Sequence, residues 1–113
     1  MNNEEEIIRI LKEILKWTRF SALKEVAIVL NTTLNTDSKI LIYHYSNGEL
    51  GTIEIGKLAK VNEKTVRNYW SSWARLGIVE SFRVRGGDRY KKSFDLEDFG
   101  IKIPNENEKI HDK

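Results

Sequence analysis

Hydrophobic and polar positions alternate along this chain with two periods. From Glu4 to Trp17 the apolar residues fall at Ile7, Ile8, Leu11, Ile14 and Leu15, the spacing of one helical stripe. Glu4, Glu5 and Glu6 occupy its first turn, where negative charge suits the helix dipole. Ser21 is expected to open a second helix, with Leu23, Val26, Ala27, Val29 and Leu30 as its apolar positions and the polar, β-branched run Asn31–Asn35 ending it. Thr36 or Asp37 then caps a third helix to about Ser46. Its segment Ile40–Tyr45 is apolar on most sides, which predicts a central position, and Asn47-Gly48 closes it. Glu49–Gly51 reads as a short extended piece, and Thr52 as the cap of a short helix from Ile53 to Lys60. Asn62 caps the next helix, which runs to about Leu76 and is ended by Gly77. The period then changes to two: Ile78–Arg85 and Tyr90–Leu96 read as strands joined by a turn at Gly86-Gly87-Asp88.

The prediction is a mainly α chain with a small β-hairpin (α+β). It divides into an N-terminal helical extension over 1–35, a domain over 36–103 and a loose polar tail over 104–113. The 113 residues suit one domain with short extensions, and 40% apolar content suffices for a modest core. No apolar run approaches the length of a membrane span. The acidic start argues against a secretory signal, and the absence of cysteine excludes disulfides and thiolate zinc sites. A cytoplasmic location is expected. Much Lys, Glu and Ile with no Cys and one Met leans toward thermophile usage. The many Asn residues run against it, and an A+T-rich genome would give a similar bias.

A net charge of +2 conceals a strong division. Residues 62–92 hold Lys64, Arg67, Arg75, Arg83, Arg85, Arg89, Lys91 and Lys92 against Glu63, Glu80 and Asp88, a local net of +5. Residues 1–36 and 37–61 are each balanced, and 93–113 is acidic. A basic block in an otherwise neutral chain suits a polyanionic partner.

The stretch Ile55-Gly56-Lys57-Leu58-Ala59-Lys60-Val61-Asn62-Glu63-Lys64-Thr65-Val66 contains an apolar residue, Leu-Ala, a turn, a valine, a small polar cap and Thr-Val. In that order it resembles the helix-turn-helix of winged regulators, of MarR-like or archaeal transcription-regulator type. The likeness continues through Trp70, Trp73 and Leu76-Gly77-Ile78-Val79 to the hairpin, and covers about residues 37–96. It implies a winged helix-turn-helix with two extra N-terminal helices, and double-stranded DNA as partner. It departs from the pattern at two places. Lys60 stands where a glycine is usual, so a slightly different turn is expected, because a left-handed Lys costs about 1 kcal/mol. Two tryptophans replace the usual leucines, which implies a bulkier local core.

Helical geometry divides the second helix of the motif. Val66, Tyr69, Trp70, Trp73 and Leu76 gather on one side and are expected to bury. Lys64, Arg67, Asn68, Ser71, Ser72 and Arg75 gather on the other and are expected to face out. A helix fits the major groove of B-DNA. There Arg67 can read guanine and Asn68 adenine through paired hydrogen bonds. Thr65 can touch phosphate or a thymine methyl, Lys64 and Arg75 can neutralise phosphates, and Ser71 and Ser72 permit close approach. The hairpin adds Arg83 and Arg85, expected on one strand face, with Arg89, Lys91 and Lys92, suited to phosphates or a narrow minor groove.

No catalytic or metal constellation emerges. His44 reads as a core-edge residue, His111 lies in the tail, and neither has a partner at metal-ligand spacing. The sequence predicts neither an enzyme nor a cofactor. The helices over 4–30 resemble the dimerisation helices of such regulators, which implies a homodimer through Ile7, Leu11, Ile14 and Leu15. The leading expectation is a transcriptional regulator or chromosome-associated factor. The alternative is a winged protein-interaction module inside a transcription or replication assembly. RNA is disfavoured, because the deep, narrow major groove of an A-form duplex excludes such a helix.

Overall fold

The computed structural model describes residues 2–104. The elements run α1 (Asn3–Thr33), α2 (Asp37–Tyr45), α3 (Thr52–Ala59), α4 (Glu63–Leu76), β1 (Val79–Val84), β2 (Gly87–Lys92) and a 3-10 turn (Leu96–Phe99). This is the α+β winged helix architecture. The chain divides after Thr33 into two compact units.

The first unit corrects the expectation of two N-terminal helices: α1 is one unbroken helix of 31 residues. Thr18-Arg19-Phe20-Ser21 contains neither Gly nor Pro, and a serine is tolerated inside a helix when nothing else breaks it. Along α1 only Leu30 is buried.

The second unit begins with Leu34, itself buried. Thr36 caps α2, its hydroxyl accepting from Lys39 N–H at 3.2 Å. Ile42 and Tyr43 of α2 are completely buried, as a central helix requires. The segment after α2 is not a strand. The Asn47 side chain accepts from the N–H groups of Glu49 and Leu50, folding the chain back locally. Asn47 also makes an isolated bridge to Lys91, which adds a third rung beside the hairpin. The cap of α3 is Gly51 rather than Thr52. Glu54 Oε1 accepts from Gly51 N–H at 2.8 Å, and that hydrogen bond holds the Glu54 carboxyl below its ordinary value.

The α3–α4 turn is the one the resemblance implies, with Lys60 simply accepting it. Lys60 takes the left-handed conformation (φ 61, ψ 45), and Val61 N–H reaches back to Gly56 C=O at 2.8 Å. The expected departure of this turn is therefore overturned: the two helices it joins dictate its geometry, and the cost to one lysine is small beside their packing. Asn62 then caps α4, its Oδ1 accepting from Lys64 N–H. Gly77 (φ 86) ends α4 with a two-bond closure, Gly77 N–H to Ala74 C=O and Ile78 N–H to Trp73 C=O.

Trp70 and Trp73, each 2% exposed, form the centre of the second unit with Ile55, Val66, Ile78, Val79 and Leu96. Three hydrogen bonds pair polar groups within it. Trp70 Nε1 donates to Ser46 Oγ at 2.8 Å, and that hydroxyl donates on to Ile42 C=O. Tyr43 OH donates to Ile78 C=O at 2.8 Å, and burial pushes the phenol up to about 12. Leu76 departs from expectation and is 54% exposed. It lies at the edge of the apolar stripe in the last helical turn, and Ile78 and Val79 supply the core there instead.

β1 and β2 pair antiparallel from Val79↔Lys92 to Val84↔Gly87. The connection is the two-residue turn Arg85-Gly86, one position earlier than expected. Gly86 (φ 94) supplies the positive dihedral it needs. The return strand ends at Lys92, and Leu96 belongs to the 3-10 turn. His111 and the tail beyond Pro104 lie outside the described residues.

Candidate nucleic-acid interface

The sorting of residues on α4 follows from its apolar stripe. Val66, Trp70 and Trp73 turn inward, so the opposite arc must face solvent. Lys64, Arg67, Asn68, Ser71, Ser72 and Arg75 are all exposed there, and Thr65 is half-buried at the border. This arc carries three cations, one amide and two small hydroxyls. Arg67 lies 3.1 Å from Glu63 Oε1 on its own helix, an exposed i,i+4 pair. Such a pair is worth a few tenths of a kcal/mol and yields readily to a stronger acceptor.

Aromatic stacking holds the inner side of the helix. Tyr69 lies flat on Trp73 with centroids 5.4 Å apart, and Trp73 meets Tyr43 edge to face. Tyr69 is half-buried, and Lys39 Nζ sits 5.6 Å from its ring. Trp70 stacks on Tyr90 of β2 at 4.7 Å. The hairpin's inner face is thereby fastened to the back of the helix.

The strand register then assigns the basic hairpin residues to faces. Paired residues share a face, and successive residues alternate. Val79, Ser81 and Arg83 lie with Lys92, Tyr90 and Asp88 on the side that meets Trp70. Glu80, Phe82 and Val84 lie with Lys91 and Arg89 on the other. Arg83 and Arg85 do not share a strand face as expected, because the strand ends at Val84 and Arg85 is in the turn. Both are exposed. Arg83 Nε is 3.4 Å from Asp88 Oδ1, its cross-strand partner, and its side chain is 86% exposed.

Two of the hairpin cations have structural engagements that sequence reasoning missed. Lys92 is half-buried and its ammonium donates to His44 C=O at 2.9 Å, at the carbonyl end of α2. Arg89 is half-buried too: Nε donates to Glu49 C=O at 3.3 Å, and the guanidinium lies beside Gly51 at the start of α3. These contacts span 48 and 40 residues. No local pattern encodes them. Lys91 is exposed.

Thus the structure brings Lys64, Arg67, Asn68, Ser71 and Arg75 together on one face. It leaves Arg83, Arg85 and Lys91 exposed on the hairpin, and commits Arg89 and Lys92 in part to holding the hairpin's root. His44 is half-buried, with its ring 5.1 Å from that of Tyr45. Among the described residues no group of three or more His, Cys, Asp or Glu could hold a metal ion. Among them, too, no helix is long and apolar enough to cross a membrane.

No protein-family model matches this chain, and no curated protein matches it. Its fold does have a solved counterpart. The crystal structure of the predicted DNA-binding transcriptional regulator from E. coli superposes with a TM-score of 0.54, covering 70% of this chain and 85% of that one at 15% identity. At that identity the likeness is one of fold.

Proposed function

We propose that this protein is a regulator that binds double-stranded DNA, inserting α4 into the major groove and laying the β1–β2 hairpin on the neighbouring backbone or minor groove. One observation carries the proposal: the exposed arc of α4 holds Lys64, Arg67, Asn68, Ser71 and Arg75, with the exposed Leu76 only at its edge in the last turn. A helix face of that chemistry has hydrogen-bond donors for base edges and cations for phosphates. Arg67 and Asn68 read bases, Lys64 and Arg75 neutralise phosphates, and Thr65 and Ser71 sit against the backbone. Arg83, Arg85 and Lys91 extend the positive surface along the hairpin, while Arg89 and Lys92 contribute charge from its root. The counterpart in E. coli, named as a predicted DNA-binding transcriptional regulator, supports the same use of this fold. Two copies joined through α1, with Ile7, Leu11, Ile14 and Leu15 in the seam, would present two such helices to half-sites about 34 Å apart.

The test is selection of bound sequences from a random duplex pool, followed by anisotropy titrations at two salt concentrations. Binding should weaken steeply with salt, with a logarithmic slope of about −0.9 per phosphate neutralised. Arg67→Ala should cost about 1–3 kcal/mol on the selected sequence and flatten its preference, whereas Lys91→Ala should weaken all sequences alike. Absence of any salt-sensitive duplex complex would overturn the proposal and favour an acidic protein partner for the same face.

A further inference from the structure

The surface of α1 is unusual for a helix in water. In α1, Ile7, Ile10, Leu11, Ile14, Leu15 and Trp17 are each between 42% and 58% exposed. At about 100° per residue these six fall on one half of the helix circumference, while Arg9, Lys12, Glu13 and Lys16 fall on the other. A helix so divided is stabilised by covering its apolar half. Half-exposed side chains of this size leave on the order of 80–100 Å² each. The six together offer roughly 500–600 Å², most of the ~800 Å² that each partner buries in a standard interface. Ile28, also exposed, lies on the same side further along, whereas the exposed Phe20 and Leu23 lie on the other half.

Charge decides what covers it and in which direction. The first part of α1, residues 3–13, carries Glu4, Glu5, Glu6 and Glu13 against Arg9 and Lys12, a net of −2. Arg9 is already held between Glu6 at 2.7 Å and Glu13 at 3.6 Å, which leaves Glu4 and Glu5 uncompensated at the tip. The remainder, residues 14–33, carries Lys16, Arg19 and Lys24 against Glu25, a net of +2. One copy of this helix is therefore the electrostatic complement of another copy laid in the opposite direction. A parallel pair would set acid on acid and base on base, and would align the two helix dipoles unfavourably.

We infer that α1 pairs antiparallel with α1 of a second copy of this chain, crossing near Leu15. The arrangement rests on the dimer proposed above and specifies its geometry. Residues 3–13, net −2, then lie opposite residues 17–27, where Arg19 and Lys24 against Glu25 give a net of +1, and Glu6 comes level with Lys24 of the other copy.

The chain has no cysteine, so single cysteines can be placed without background. Wild-type protein at tens of micromolar should sediment as a dimer. Nitroxide labels at Lys16→Cys, level with the crossing but on the outer side of each helix, should lie about 20–30 Å from their mates. Labels at Glu5→Cys, on the same outer side but ten residues from the crossing on each copy, should lie about 40 Å apart, whereas a parallel pair would give about the same distance at both positions. A Leu11→Glu, Ile14→Glu double variant should sediment as a monomer. Both positions are exposed, so the winged unit should stay folded, and single-site duplex titration checks that it does. A wild-type monomer overturns the inference, as does an equal distance at both label positions or a double variant that remains dimeric. A monomer that still binds duplex in a salt-sensitive way separates failure of the pairing from failure of the DNA proposal.

Discussion

Gly56 occupies the closest approach between α3 and the turn that launches α4, and replacing it by alanine sets two effects of known size against each other. A Cβ at this position would stand 2.8 Å from Val61 C=O and 3.5 Å from Glu63 N. Separations under 3.0 Å are essentially unobserved for real Cβ atoms. The obstructing atom is backbone. Val61 is pinned by its own N–H bond to Gly56 C=O at 2.8 Å, and Asn62 immediately caps α4. The turn cannot yield without shifting one helix against the other. Such overpacking costs about 1–3 kcal/mol. Alanine inside a helix gains about 0.5–1 kcal/mol over glycine. The steric effect should win, for a net loss of about 1–2 kcal/mol. Urea unfolding followed by tryptophan fluorescence measures it, in a Trp17→Phe background so that only Trp70 and Trp73 of the winged unit report. The midpoint should fall at unchanged slope. Gly77→Ala is the comparison. It meets nothing within 4 Å, so its loss of about 1 kcal/mol comes from the φ of 86 alone and should leave duplex affinity unchanged once folded. Gly56→Ala, by moving the start of α4, should weaken duplex binding as well. If Gly56→Ala were as stable as wild type or more so, helix propensity would have prevailed and the close approach would not be enforced.

Lys60→Gly relieves a left-handed lysine and should raise stability by up to about 1 kcal/mol in the same assay, with Lys60→Val lowering it. Ser46→Ala leaves the buried Trp70 indole N–H without its acceptor and should cost about 1–3 kcal/mol, read as a lower urea midpoint. Tyr43 has a folded-state value of about 12 against an ordinary 10. The fold therefore keeps the neutral phenol, and this contribution is fully present below pH 10 and is lost as pH rises toward 12. The alkaline fall in stability should be shallower in Tyr43→Phe than in wild type; equal slopes would show that burial of this phenol is not its source.

What was legible in the sequence was local chemistry. Asn62 and Gly77 bracket α4 because a side-chain acceptor and a residue free of Cβ suit those two ends, and the motif spells both out. Trp70 and Trp73 read as core because a period of 3.6 places them with Val66. The misreadings share a cause as well. Ser21 looked like a cap because serine is common at caps, yet its neighbours contain no breaker and α1 runs through it. Lys60 looked like a deviation because propensity was weighed without the packing that overrides it. Lys92 and Arg89 looked like free cations because the carbonyls that receive them lie at His44 and Glu49, far off in the chain. Leu76 looked buried because periodicity locates a face without saying where the neighbouring element stops covering it.

The stack of Trp70 on Tyr90 has a metric consequence. Two rings with centroids 4.7 Å apart, inclined by 28°, make a spacer between α4 and the hairpin. The spacing between α4 and the hairpin is therefore set inside the protein by this contact. If the winged unit grips a duplex as proposed, that spacing acts as a gauge, and a duplex whose groove width departs from it would have to deform to be held.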